Sequence, residues 1–172
     1  MIRLLGFAAT FILCAFIGWT VMNWAIPKVV MTKAMEGLAE RGAGVNTMTL
    51  REPADPYRQF VVRPSPDLLY STCVYDLQDA PLRVNVGPTD GYLSVSFFDN
   101  ITNNFETLSG DTINSAQSEI VLISKSQEAP VGARTVTSPS NKGLVLVRRQ
   151  ISGKDSLAAM LAAQSDDACA SL

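Results

Sequence analysis

The stretch Leu82–Phe105 reads LRVNVGPTDGYLSVSFFDNITNNF, and how its two halves pair decides the fold. Leu82, Val84 and Val86 alternate with Arg83 and Asn85, and Leu93, Val95 and Phe97 alternate with Ser94 and Ser96. A period of two puts each apolar set on one face of a strand. Between them, Gly87-Pro88-Thr89-Asp90-Gly91 has turn chemistry, so the expected unit is a hairpin with Tyr92–Phe98 pairing back on Leu82–Val86. On such a hairpin Arg83, Asn85, Ser94 and Ser96 are neighbours on the face turned away from the core.

Further strands extend this unit. Gln59–Arg63 is short and stopped by Pro64 and Pro66, Leu68–Leu77 (LLYSTCVYDL) is long and rich in β-formers, and Glu119–Ser124 follows. Leu144–Ile151 is apolar without clear alternation, the pattern of a central strand covered on both faces. Pro and Gly at 130, 132, 139 and 143 mark a loop before it, and Asp155–Gln164 closes the chain as a short helix. The fold class is therefore mainly β, an antiparallel sandwich or partial barrel, with an N-terminal transmembrane helix and short terminal helices.

The amino-terminal segment is of another kind. Leu4–Ile26 is 23 residues without a charge. At about 1.5 Å per residue it reaches roughly 34 Å, enough to cross the hydrocarbon core of a bilayer. Trp19 and Trp24 fall in its second half, where an aromatic belt sits. The apolar run is too long for a cleaved signal and Asn23-Trp24-Ala25 is a poor cleavage site, so the expectation is an uncleaved anchor. Pro27 is expected to break the helix. Beyond it Val29–Arg41 reads as a stalk helix with Val30, Ala34, Leu38 and Arg41 on one side, ended by Gly42 and Gly44. Flanking charge, Arg3 against Lys28 and Lys33, is nearly tied; a short head before a long domain favours a cytoplasmic amino terminus. Three segments result: a transmembrane signal-anchor over 1–27, a stalk helix and linker over 28–57, and a β-rich extracytoplasmic domain over 58–172.

Composition excludes several chemistries. The 172 residues carry 14 basic and 16 acidic side chains with the signs interspersed, so there is no basic stripe for nucleic acid. Histidine is absent, which removes Ser-His-Asp and Cys-His nucleophile pairs and His-ligated zinc or haem. No cofactor is expected. Cys73 and Cys169 are the only cysteines beyond the span. In an oxidising compartment they are candidates for a disulfide; the alternative is a buried thiol on a strand and a free one in a frayed tail.

The cluster Asp99, Asn100, Thr102 and Asn103 at the end of the second strand has three readings. One is a turn, since Asp and Asn side chains bond their own backbone. Another is a shallow groove for a polar ligand, formed with Asn85 and supplied with charge and hydrogen bonds by Asp67, Tyr70 and Arg83. The third is a calcium site, although the spacing matches no EF-hand loop.

Taken together, Asp67–Leu77 (DLLYSTCVYDL), Ala80-Pro81-Leu82, Asp90-Gly91-Tyr92 and Phe98-Asp99-Asn100 with Thr102-Asn103 and Phe105 resemble the bacterial domain of unknown function numbered twelve-fifty-four. The likeness covers about Arg63–Ser109 and weakens through Ile151. It implies that Asp67, Tyr70, Asp76, Asp99, Thr102 and Asn103 shape the hairpin and a polar surface. Many longer relatives carry a second β-rich domain, numbered twelve-fourteen, after this one. The resemblance thus implies a partner, a separate anchored chain bearing that second domain. The expected protein is a single-pass component of the bacterial inner membrane, held in the bilayer by Leu4–Ile26, with its β domain in the periplasm as an assembly module. Its rivals are a periplasmic enzyme, with Asp67 or Asp99 as acid or base and Tyr70 or Arg83 stabilising charge, and a carrier with an apolar cavity between sheets.

Overall fold

The computed structural model describes residues 2–54, 64–113, 119–152 and 154–172. The strand expected over Gln59–Arg63 lies outside these residues. In chain order the elements are α1 (Ile2–Glu40), β1 (Thr49–Leu50), β2 (Leu68–Asp76), β3 (Leu82–Asn85), β4 (Leu93–Phe98), β5 (Asn104–Ser109), β6 (Glu119–Ser124), β7 (Arg134–Ser138), β8 (Lys142–Gln150), α2 (Lys154–Ser165) and β9 (Ala168–Ser171).

The strands form two sheets, one of five in the order β1-β2-β8-β4-β5 and one of four in the order β7-β6-β3-β9. All the pairs are antiparallel except β6 with β7. Their inner faces share one core. Cys73, Tyr75, Val95, Phe97, Val145 and Val147 come from the larger sheet, and Leu82, Val84, Ile120, Leu122, Val136 and Cys169 from the smaller. This is the β sandwich that alternating apolar residues require.

The expected hairpin is not formed. Leu82–Asn85 lies between β6 and β9 in the smaller sheet, whereas Leu93–Phe98 lies between β8 and β5 in the larger. Gly87–Gly91 is therefore a crossover between sheets. Gly87 is buried so closely on α2 that a Cβ there would overlap the Ala163 carbonyl, and Gly91 has φ +120°. Contacts from distant parts of the chain hold this segment and override its local turn chemistry. It follows that Arg83 and Asn85 are not neighbours of Ser94 and Ser96.

Other segments also differ from expectation. The linker expected after the stalk helix within 28–57 contains β1, the loop before β8 contains β7, and the carboxyl-terminal tail is β9, paired with β3 from Ala168 to Ser171. These strands are short and mostly polar, so they lack the apolar alternation that signals a strand. β8 is central, as its composition suggests. Val145, Val147 and Arg149 point into the core, and Leu144, Leu146 and Arg148 form a half-buried outer row.

Helix α1 runs unbroken through Pro27. Proline leaves the Asn23 carbonyl without its helical donor, and Asn23 Nδ2 bonds back to the Trp19 carbonyl at 2.8 Å. An apolar helix tolerates such a proline. Lys28 sits 3.9 Å over the Trp24 ring. The helix packs against β2 and β8; Met31 is buried and Met35 and Leu38 are half-buried, whereas Val30, Ala34 and Arg41 of the expected row stay exposed.

Tyr75 ties the layers together. Its hydroxyl donates to the Phe98 carbonyl at 3.0 Å and lies 2.9 Å from Ser138 Oγ on the smaller sheet. Its cross-strand partner is Gly143, where a Cβ would overlap both the Tyr75 hydroxyl and the Phe98 carbonyl. Gly143→Ala is expected to destabilise the domain by about 3 kcal/mol, read from urea unfolding. Burial pushes the Tyr75 hydroxyl from 10.0 up to about 12, only partly offset by the hydroxyls of Ser138 and Ser140. Because the folded value lies above the unfolded one, this contribution is complete below pH 10 and is lost as pH rises toward 12. The expected loss is about 3 kcal/mol. It would appear as a falling urea midpoint that flattens in Tyr75→Phe.

Candidate functional site

The Asp99–Asn103 cluster is a tight turn between β4 and β5. Asp99 is buried, and its Oδ1 accepts from the backbone N–H groups of Ile101 and Asn103, both at 2.9 Å. Oδ2 accepts from Asn103 Nδ2 at 2.9 Å, and the Asp99 N–H donates to the Asn103 carbonyl at 3.0 Å. Thr102 takes φ 72° at the tip and Asn100 is exposed beside it. The carboxylate thus satisfies the turn's own donors, which is the geometry Asp supplies at such corners. Among the described residues no three His, Cys, Asp or Glu side chains gather as a metal site.

The remaining sequence candidates are scattered. Asp67 is exposed at the start of β2, and its carbonyl receives the Ile151 N–H at 2.8 Å. Arg83 lies 3.5 Å from Glu119 on the exposed face of the smaller sheet, with Asn85 at the end of the same strand. Asp76 pairs with Lys142 at 2.9 Å. Exposed pairs of this kind contribute little. Cys73 on β2 and Cys169 on β9 are joined by a disulfide that connects the two sheets.

Two arginines adjacent in β8 carry the structure's main polar constellations, and neither was singled out in the sequence. Arg149 points inward. Its Nη1 donates to Asp167 Oδ2 at 2.6 Å, Nη2 to Asp167 Oδ1 and to the Gly87 carbonyl at 3.1 Å, and Nε to Thr89 Oγ1 at 2.9 Å. Asp167 also accepts from Ser71 Oγ at 2.6 Å and from the Gly87 N–H at 3.0 Å. The two side chains are 1% and 0% exposed. A bidentate pair with every lone pair met is the form in which buried charge is tolerated. It binds β2, β8, the 87–91 crossover and the α2–β9 turn into one unit. Leu144–Val147 is apolar at every position, so no alternation in the sequence marked Arg149 as continuing the inward series of Val145 and Val147.

Arg148 points to the opposite, outer face. There it lies in register between Tyr70 on β2 and Ser94 on β4. Its Nη2 donates to Ser96 Oγ at 2.9 Å and lies 3.4 Å from Ser94 Oγ. Thr107 Oγ1 on β5 donates to Ser96 Oγ at 3.3 Å. The Tyr70 hydroxyl accepts from the Ser65 N–H at 3.0 Å. A row of Tyr70, Arg148, Ser94, Ser96 and Thr107 thus crosses four strands. It unites three residues noted in the sequence with an arginine from β8 in place of Arg83.

A two-sheet β domain carried on a long apolar helix is the class that this fold defines. The chain belongs to the family described as protein of unknown function (DUF1254), whose model matches residues 45–171. A crystal structure of a protein from Vibrio parahaemolyticus is similar over 87% of this chain and 37% of its own, with a TM-score of 0.63 and 14% identity. An uncharacterised protein from Burkholderia cenocepacia is similar over 83% of this chain and 40% of its own, with a TM-score of 0.52 and 15% identity. At these identities the likeness is one of fold. The chain spans less than half the length of either solved structure. No curated protein matches it.

Proposed function

We propose that this chain is a single-span protein of the bacterial inner membrane whose β domain, in the periplasm, is an assembly module for a second envelope protein. The observation that carries the reading is α1. Its most apolar 18-residue window has a mean hydropathy of 2.1 and none of it is buried, while its other end packs on the sandwich. A helix of that length and apolarity is able to span a bilayer, which supports the reading. The disulfide favours an oxidising compartment for the domain. We take the second protein to be a separate anchored chain bearing the β-rich twelve-fourteen domain. The polar groups favour binding over catalysis, with Asp99 engaged by its turn and Asp167 by Arg149.

Carbonate extraction with protease treatment of intact and permeabilised spheroplasts tests the anchor and its orientation. The expected result is retention in the membrane pellet and cleavage of the β domain in intact spheroplasts. Release by carbonate, or cleavage only after permeabilisation, would overturn it.

A further inference from the structure

Helix α1 runs from its apolar stretch into the sandwich with no loop between them. The uncharged stretch ends at Ile26. Close to that end Lys28 lies 3.9 Å over the Trp24 ring, a cation and an indole of the kind that settle among lipid headgroups. The helix then runs on without a break to Glu40. Met31 is only 5% exposed, whereas Ile26, Val29 and Val30 before it are 51%, 59% and 53% exposed. Cover by the rest of the chain therefore starts at Met31. It continues with the contacts of α1 on β2 and β8. Just past the helix the Ala43 N–H donates to Thr49 Oγ1 at 2.8 Å, which ties the helix end to β1.

The helix from Ile26 to Met31 rises about 7.5 Å. The headgroup layer on one side of a bilayer is about 5–8 Å deep. Cover of the helix thus begins level with the outer surface of the leaflet. From Met31 to Leu38 it takes up about 10 Å of helix, whereas a β domain of this size has a radius of gyration of about 14 Å. The sandwich is broader than the segment that holds it, and a continuous helix gives it no slack with which to stand clear of the lipid.

We infer that the β domain is seated on the membrane surface, and that its partner on that side is the phospholipid headgroup layer. The inference rests on the anchor in the proposed function and adds the height at which the domain is held. Lys33 is engaged by Glu36 at 2.6 Å, so Lys28 is the cation offered to lipid phosphate at this level. Whatever the domain binds is then met at the bilayer surface, within reach of a second anchored chain.

Neutron reflectometry on a supported phosphatidylcholine bilayer carrying the full chain tests this. The expected profile has protein continuous with the headgroup layer and no water gap. Lengthening the helix by about two turns, roughly seven Ala, Glu and Lys residues inserted after Lys28, keeps the same helix face toward the domain and is expected to open a gap of about 10 Å. The insertion lies before the covered segment, so the domain keeps its own contacts. A water gap in the wild type, or a profile unchanged by the insertion, would overturn the inference. A chain released by carbonate fails the anchor and this inference together, whereas a retained chain with a gap fails this inference alone.

Discussion

Arg149→Met is expected to destabilise the β domain by about 3–5 kcal/mol, because it leaves Asp167 charged, buried and stripped of its two strongest donors. Domains of this size have about 5–15 kcal/mol in total, so the variant should be near its unfolding transition at growth temperature. Asp167→Leu alone should cost about as much by stranding the guanidinium. The double variant Arg149→Met/Asp167→Leu should recover a large part of the loss, since a buried ion pair is often replaceable by apolar residues. Urea unfolding followed by circular dichroism reads all three. Additive losses in the double variant would show that the two side chains do not act as a pair. The expected rescue is incomplete, because Gly87 and Thr89 lose partners that the pair supplied.

The second large effect is that of the disulfide. Cys73 and Cys169 are 96 residues apart in sequence. Closing a loop of that length removes chain entropy from the unfolded state worth roughly 4–5 kcal/mol. Cys169→Ser should therefore lower stability by a comparable amount, and reduction of the wild type should do the same. Alkylation of envelope-derived protein before any reductant checks the bond directly. Cys14, the free cysteine, should be the site modified, with Cys73 and Cys169 protected until reduction. Modification of all three at once would contradict the bridge. The two effects are linked in space, since β9 is held by the disulfide at Cys169 and the turn before it by Asp167.

Much of the architecture is written in local pattern. The alternation of Leu82, Val84 and Val86, and of Leu93, Val95 and Phe97, places the right side chains in the core, because burial of one strand face depends only on a period of two. Which strand lies beside which does not follow from that pattern. Gly87-Pro88-Thr89-Asp90-Gly91 has the composition of a hairpin loop. It becomes a crossover because Arg149 and Asp167, 62 and 80 residues further along, grip Gly87. The same limit governed the candidate site. Ser94 and Ser96 were legible as a polar face, but the cation beside them depends on the neighbouring strand, and Arg148 comes from β8. Asp99 was the converse case. Its role as a turn residue is local, so the turn was among the readings its sequence allowed. β7 and β9 were missed because strands of four or five residues, largely polar, owe their pairing to neighbours and not to their own composition.

The most direct test of the proposed assembly is the composition of the particle extracted from native membranes in mild detergent, read by size and mass spectrometry. The expected result is a complex in which this chain is stoichiometric with a second anchored protein that carries the β-rich twelve-fourteen domain. A single species with the mass of this chain alone, stable through purification, would contradict it.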